Sequence, residues 1–242
     1  SGGGVMHSPS PDLAAARDME LRIALLDTLR AMGVAGLNVG TAGNASVRLN
    51  AAQTRTTIDH AHAPVPMLIT PSGLAAERCG AQDMAHVDAD GRAHGPFAPS
   101  SEWQLHRDIY AAFPAAGAVL HAHSPFATAL ACQRIDIPPF HYMIARFGGS
   151  SIRCARYATF GTQALSDATV AALHERNACL LANHGMVVFG RDLSQALALA
   201  IEFETLCAQY WRSLQLGEPV LLSAAEMAEV IERFRWYGKP RA

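Results

Sequence analysis

Hydrophobic positions along the chain change their period several times, and each change marks an element. Behind Ser10-Pro11, a cap residue followed by proline at the first helical position, runs LAAARDMELRIALLDTLRAM. Leu21, Leu25, Leu29 and Met32 recur there at helical spacing. A long amphipathic helix is predicted, ended by Gly33 and Gly36. A Gly- and Asn-rich turn, GLNVGTAGNASVRL, leads into a short strand near Ala45–Leu49. Asn50–Pro66 is polar and reads as a loop. MLIT reads as a strand, Pro71-Ser72-Gly73 as a turn and Asp90-Gly91 as a hairpin-type turn.

The second half alternates more plainly. Ser100-Ser101-Glu102 opens a predicted helix to about Phe113, with Ser101 and Gln104 at capping-box spacing. Ala118–His123 is a strand, and Ser124-Pro125 caps a helix carrying Phe126, Leu130 and Ala131. Ala178–Ala182 is a buried strand, and His184-Gly185 turns out of it. Two amphipathic helices follow, at about 194–214 and 224–236. From Ile109 to Gln133 there is no Asp, Glu, Lys or Arg. Pro114, Pro125, His121, His123 and a change of period make this a buried loop–strand–helix passage, not a membrane span. The alternation predicts an α/β fold with strands mostly central and helices outside. Residues 1–5 (SGGGV) read as an expression scar ahead of Met6, and residues 6–242 as one domain without repeats or linkers.

Composition narrows the classes. The 242 residues are 50% hydrophobic and 17% charged, with a net charge of −2, which excludes a disordered chain and argues against a nucleic-acid partner. Five cysteines, an odd number with no C-x-x-C spacing, and the absence of a secretory pattern after Met6 fit a reduced, cytoplasmic protein.

Four short segments carry candidate chemistry. His121 and His123 sit at i and i+2 of a strand, so both imidazoles point to one face and can share a metal. His60 and His62 repeat that spacing in the polar loop, where nothing rigid would hold them, and read as solvated. His184, between Asn183 and Gly185, ends a buried strand; alone it would be an ordinary strand-end histidine. Glu102 in a first helical turn is commonly just a favourable charge. Beside three histidines it completes a zinc-compatible ligand set, and if displaced by substrate it becomes a general base. Gly43-Asn44, Ser72-Gly73 and Ser100-Ser101 are small-residue turns whose N–H groups suit an anion. His7, His86, His94, His106 and His174 receive no role.

The segments GLNVGTAGNASVR, LITPSG, PSSEWQLH, VLHAHSPFATA, HYMIARFGGSSI, CARYATFGT, NHGMVV and RFRWYG, in this order from about Asp18 to Gly238, resemble the class II aldolase/adducin family. That resemblance implies a three-layer α/β/α fold with a central, mostly antiparallel sheet. It implies a zinc-dependent cleavage of a ketose 1-phosphate, nearest the L-fuculose 1-phosphate type, to dihydroxyacetone phosphate and a small aldehyde such as lactaldehyde. Zinc, one per subunit, would be held by His121, His123, His184 and a displaceable Glu102. Gly43, Asn44, Ser72, Gly73, Ser100 and Ser101 would hold the phosphate. Tyr142, supplied by a neighbouring subunit of a fourfold-symmetric tetramer, would protonate the aldehyde oxygen. Tyr237 would act from a tail, and Phe160 would lie near the aldehyde. Family alternatives are a 5-deoxypentulose-phosphate aldolase, a ribulose-phosphate 4-epimerase, a methylthioribulose-phosphate dehydratase and a sugar-acid phosphate decarboxylase. An adducin-like scaffold without catalysis has no reason to keep three histidines and a glutamate in register. No nucleic-acid or membrane partner is expected.

Overall fold

A computed structural model describes residues 10–49 and 65–237. Residues 1–5, read above as a scar, the His60/His62 pair and all but the last two residues of the polar 50–66 segment lie outside the described residues.

Eight strands form one sheet: β1 (Asn44–Arg48), β2 (Met67–Ile69), β3 (Ala85–Val87), β4 (Ala93–His94), β5 (Ala118–Ala122), β6 (Cys154–Ala155), β7 (Ala178–Leu181) and β8 (Gly185–Gly190). Their spatial order is β4-β3-β2-β1-β5-β8-β7-β6, and only β6 and β7 pair in parallel. The expectation of a mostly antiparallel central sheet is met. The helices are α1 (Pro11–Val34), α2 (Trp103–Ala112), α3 (Pro125–Ala131), α4 (Gln163–Ala172), α5 (Leu193–Leu216) and α6 (Ala224–Trp236), with a 3₁₀ helix at Tyr142–Phe147.

The sheet has a core on each face, because successive side chains of a strand point opposite ways. Ala118, Leu120, Met186 and Val188 pack against α1, α3 and α5, where Phe203 and Leu199 are fully buried. Val119, Val187 and Phe189 face α2 and α4, against Leu105, Ile109 and Leu165. His121 belongs to this second face. Helix α1 starts as expected, with Pro11 at its first position and the Ser10 hydroxyl accepting from Leu13 N at 3.3 Å. No helix among the described residues is long and apolar enough to cross a membrane, as read for the uncharged 109–133 passage.

Two predicted caps differ. Helix α2 begins at Trp103, with Glu102 as its N-cap and no capping box. Ser100 N donates to Thr70 O at 3.0 Å, which ties this stretch to the sheet edge before the helix starts. The Gln104 side chain reaches Gln163 on α4 instead of folding back. At α3 the Ser124 side chain makes no capping bond. Glu204 on α5 takes that role, its carboxylate accepting from Phe126 N at 3.0 Å and Ala127 N at 2.8 Å. Helix α4 and strands β3, β4, β6 and β8 were not predicted as elements; β3, β4 and β6 are only two or three residues long, and β8 follows β7 after a three-residue turn.

Leu120 is fully buried in the middle of the central strand β5. Leu120→Ala is expected to cost about 2–5 kcal/mol, read as a lower urea midpoint with unchanged slope.

Candidate active site

Strand β5 ends where the hairpin between β7 and β8 turns, and this adjacency builds the centre of the site. The hairpin has three connecting residues, Ala182-Asn183-His184, closed by His184 N donating to Leu181 O at 3.0 Å. Asn183 takes the left-handed conformation such a turn needs (φ 54°), which asparagine tolerates better than most residues. Gly185 follows because a Cβ there would lie 2.4 Å from Ala122 O. The hairpin can therefore close onto β5, and His184 meets His121 and His123.

The three rings pack edge to face with centroids 4.7–4.9 Å apart. One nitrogen from each lies within 4.8 Å of the others. His121 Nδ1 lies 2.8 Å from Met186 O, a pure acceptor, so Nδ1 carries the proton and Nε2 keeps its lone pair. That Nε2 lies 3.0 Å from His123 Nε2. All three imidazoles are held neutral. Burial first, then the neighbouring His184 and His123, push His121 well below its ordinary pKa. Burial lowers His123, and burial followed by His123 brings His184 to about 4. Uncharged nitrogens converging on one point suit a divalent metal such as zinc.

Glu102 lies on the same cavity, of about 290 Å³, but outside the close group of nitrogens. It is 5% exposed, and its Oε2 is buried with no hydrogen-bond partner. Burial raises its pKa to about 7 against the opposing hydrogen bond from Gly161 N–H. An orphaned carboxylate oxygen facing three neutral imidazoles fits a bound cation better than it fits the chain alone.

The small-residue turns line the same cavity. Gly43, Asn44, Ser72, Gly73, Ser100 and Ser101 all line the cavity, as expected. Gly43 has φ 83°, and a Cβ there would lie 2.0 Å from Asn38 Oδ1, so glycine is required. The amides are less available than the turns suggested. Ser72 N donates to Ala98 O at 2.9 Å and Ser100 N to Thr70 O at 3.0 Å, so these serines offer hydroxyls rather than N–H groups.

Phe160 lines the cavity and is 65% exposed. Tyr142 and Tyr237 are not brought to it within one chain. They line a separate cavity between the 3₁₀ helix and α6, with Met143 and Phe234. Sequence reasoning missed Tyr157 and Arg134. Tyr157 lines the cavity, and the Arg134 guanidinium stacks 5.5 Å from its ring centre while its Nε donates to Asn183 Oδ1 at 2.6 Å. The only signal was the nearness of Tyr157 to Phe160 in CARYATFGT.

Three neutral imidazoles that could hold a metal, a buried carboxylate and hydroxyl-bearing turns thus share one cavity of an α/β/α fold. The family model of the Class II Aldolase and Adducin N-terminal domain matches residues 23–211. The chain is 49% identical over 218 residues to a 5-methylthioribulose-1-phosphate/5-deoxyribulose-1-phosphate aldolase of Rhodospirillum rubrum, covering 90% of this chain and 92% of that protein. It is 41% identical over 215 residues to the L-fuculose phosphate aldolase of Escherichia coli K12, covering 88% and 94%. A solved L-fuculose 1-phosphate aldolase superposes with a TM-score of 0.80 at 33% identity, covering 96% of this chain and 100% of that one. The chain belongs to the class II aldolase/adducin family, and it is an enzyme of the family's lyase type.

Metal titration of the purified protein is expected to give one tight divalent ion per chain, with His121→Ala abolishing that binding. The metal-free protein carries a pH signature from Glu102. Its folded pKa of about 7 lies above the ordinary 4.5, so the neutral carboxyl's contribution is complete below 4.5 and is lost as pH rises through about 7. Metal-free Glu102→Gln is therefore expected to be more stable than the parent at about pH 8, by up to about 3 kcal/mol, and to match it near pH 4.5. Urea melts at the two pH values check this.

Proposed function

We propose that the chain is a zinc-dependent aldolase that reversibly cleaves a ketose 1-phosphate to dihydroxyacetone phosphate and a small aldehyde. The observation that carries this reading is one cavity lined by three neutral imidazoles, a partnerless buried carboxylate and hydroxyl-bearing turns. His121, His123 and His184 would hold the metal, with Glu102 as a fourth, displaceable ligand. When bound, the metal supplies a Lewis acid for the charge that develops on the ketose oxygens. In cleavage, Glu102 would protonate the carbon beside the carbonyl once its bond to the departing aldehyde has broken, while that aldehyde's hydroxyl proton passes to Tyr142; in synthesis Glu102 would take the proton from that carbon. The Ser72, Ser100 and Ser101 hydroxyls and the Gly43, Asn44 and Gly73 turns hold the phosphate. Binding energy at that remote end orients the reacting carbon.

Tyr157 and Phe160, with Ala158 between them, line the cavity and would form the aldehyde end. This suits a short apolar tail. The identity of 49% with the methylthioribulose/deoxyribulose-phosphate aldolase, against 41% with the fuculose phosphate enzyme, supports a pentulose 1-phosphate lacking a free 5-hydroxyl. L-fuculose 1-phosphate, the type expected from the sequence, is the second reading, supported by the solved aldolase at TM-score 0.80. Tyr142 would reach a neighbouring subunit's cavity in a homotetramer, as would Tyr237; both are more than half exposed in the single chain. Five free thiols accord with a cytoplasmic setting.

The test is an aldol-cleavage assay of the metal-loaded enzyme across phosphorylated ketoses. Dihydroxyacetone phosphate is expected from a 5-deoxypentulose 1-phosphate and, more slowly, from L-fuculose 1-phosphate. An epimerised or dehydrated product with no triose phosphate would replace the aldolase reading with another activity of the family. Glu102→Gln is expected to retain most of its metal and lose about 10²–10⁴-fold in turnover.

A further inference from the structure

Behind the phosphate wall, a line of fully buried polar groups ends on Asn44. His106, on α2, is completely buried, as is Ser46 on β1; Tyr110 is 1% exposed and Asn44 5%. The His106 Nε2 meets Asn44 Oδ1, and its Nδ1 lies 2.6 Å from Ser46 Oγ. Ser46 Oγ lies 2.7 Å from the Tyr110 hydroxyl, which receives the Val119 N–H. Arg48 closes the far end, its guanidinium 5.0 Å from the Tyr110 ring centre.

Hydrogen-bond direction along this line has one solution that leaves no proton stranded. The Val119 N–H and the Arg48 guanidinium can only donate, so among the described contacts of the Tyr110 hydroxyl the acceptor for its proton is Ser46 Oγ. Ser46 then donates to His106 Nδ1, so the His106 proton sits on Nε2 and is given to Asn44 Oδ1. The reverse order would leave the Tyr110 proton without an acceptor in a site closed to water, a costly arrangement. With its oxygen engaged, the Asn44 amide turns its NH₂ group to the cavity, where it can only donate.

We infer that His106 is a positioning residue: as the Nε2–H tautomer, set by Ser46 and Tyr110, it locks the Asn44 side chain with its donors facing the substrate's phosphate. The inference rests on the reading of that wall as the phosphate site. Burial holds His106 neutral, with a pKa of about 3, so the ring keeps both a donor and an acceptor face. Asn44 is also the cross-strand partner of His121 in the β1–β5 register, so the same residue sits beside the histidine cluster.

Nitrogen-15 NMR of the metal-loaded wild-type enzyme is expected to show the His106 Nε2 protonated and Nδ1 bare. An Nδ1–H tautomer or an imidazolium would overturn the inference without unfolding anything. Steady-state kinetics then compare a ketose 1-phosphate with the same ketose lacking phosphate. Both His106→Gln and the milder Ser46→Ala are expected to lose kcat/KM on the phosphorylated ketose by about tenfold more than on the phosphate-free one, mainly through KM. Equal losses on the two sugars mean a merely structural role and overturn it. If wild-type enzyme itself shows no preference for the phosphorylated sugar, the phosphate-wall reading fails, and this inference with it.

Discussion

Two imidazole nitrogens 3.0 Å apart, on His121 and His123, repel unless a proton or a cation lies between them, and the surrounding chain is arranged around that fact. Met186 O fixes the proton of His121 on the far side of its ring. Met186 is on β8, so the β5–β8 register cannot move. Slipping it by one residue would take the carbonyl away, and slipping β5 against its neighbours would send His121 to the other face of the sheet. Gly185 and the left-handed Asn183 follow from the same requirement, since they let the β7–β8 hairpin place a third ring against the first two. The local backbone is organised to keep bare lone pairs together.

The two faces of the sheet divide the work. The α1/α3/α5 side is a continuous apolar core. The α2/α4 side carries His121, Asn44, Ser46, His106 and Tyr110 within an otherwise apolar layer. Both halves of the site thus rise from one face, joined by the Asn44–His121 pairing. This layout also answers a difficulty raised by the composition. A chain of net charge −2 can hold an anionic sugar phosphate if the donors are neutral hydroxyls and amides oriented beforehand, because such donors need no basic surface.

Much of this was legible in the sequence, for identifiable reasons. Helix α1 has a cap, a proline and a clean period over many turns. Strand β5 announces itself by an apolar run, and two histidines at i and i+2 must share a face whatever the sheet's topology. Strand direction was not legible from alternation, which does not distinguish parallel from antiparallel neighbours; the family resemblance supplied it. The caps of α2 and α3 were misread because serine before a helix is a local signal. Here it was overridden by a strand-edge bond at Ser100 and by Glu204, nearly eighty positions along the chain at Phe126. His106 was invisible for a related reason. Its partners, Asn44 and Ser46, come from β1, some sixty residues away from it on α2, and no spacing rule connects them. Tyr142 and Tyr237 could be named from resemblance alone, since nothing in one chain brings them to the cavity.

Helix α5 touches both parts of this arrangement through two carboxylates one residue apart from being neighbours. Glu204 holds the first amides of α3, which begins two residues after His123 at the end of β5. Glu202 pairs with Arg146 at 2.6 Å, within the 3₁₀ helix that begins at Tyr142. Helix α5 is thereby the common attachment for the start of α3, beside the histidine cluster, and for the 3₁₀ helix that carries Tyr142. Sliding α5 by a single turn, about 5.4 Å, would break both attachments at once. A shift of α5 that released the α3 amides would therefore release Arg146 as well, so the two attachments move together.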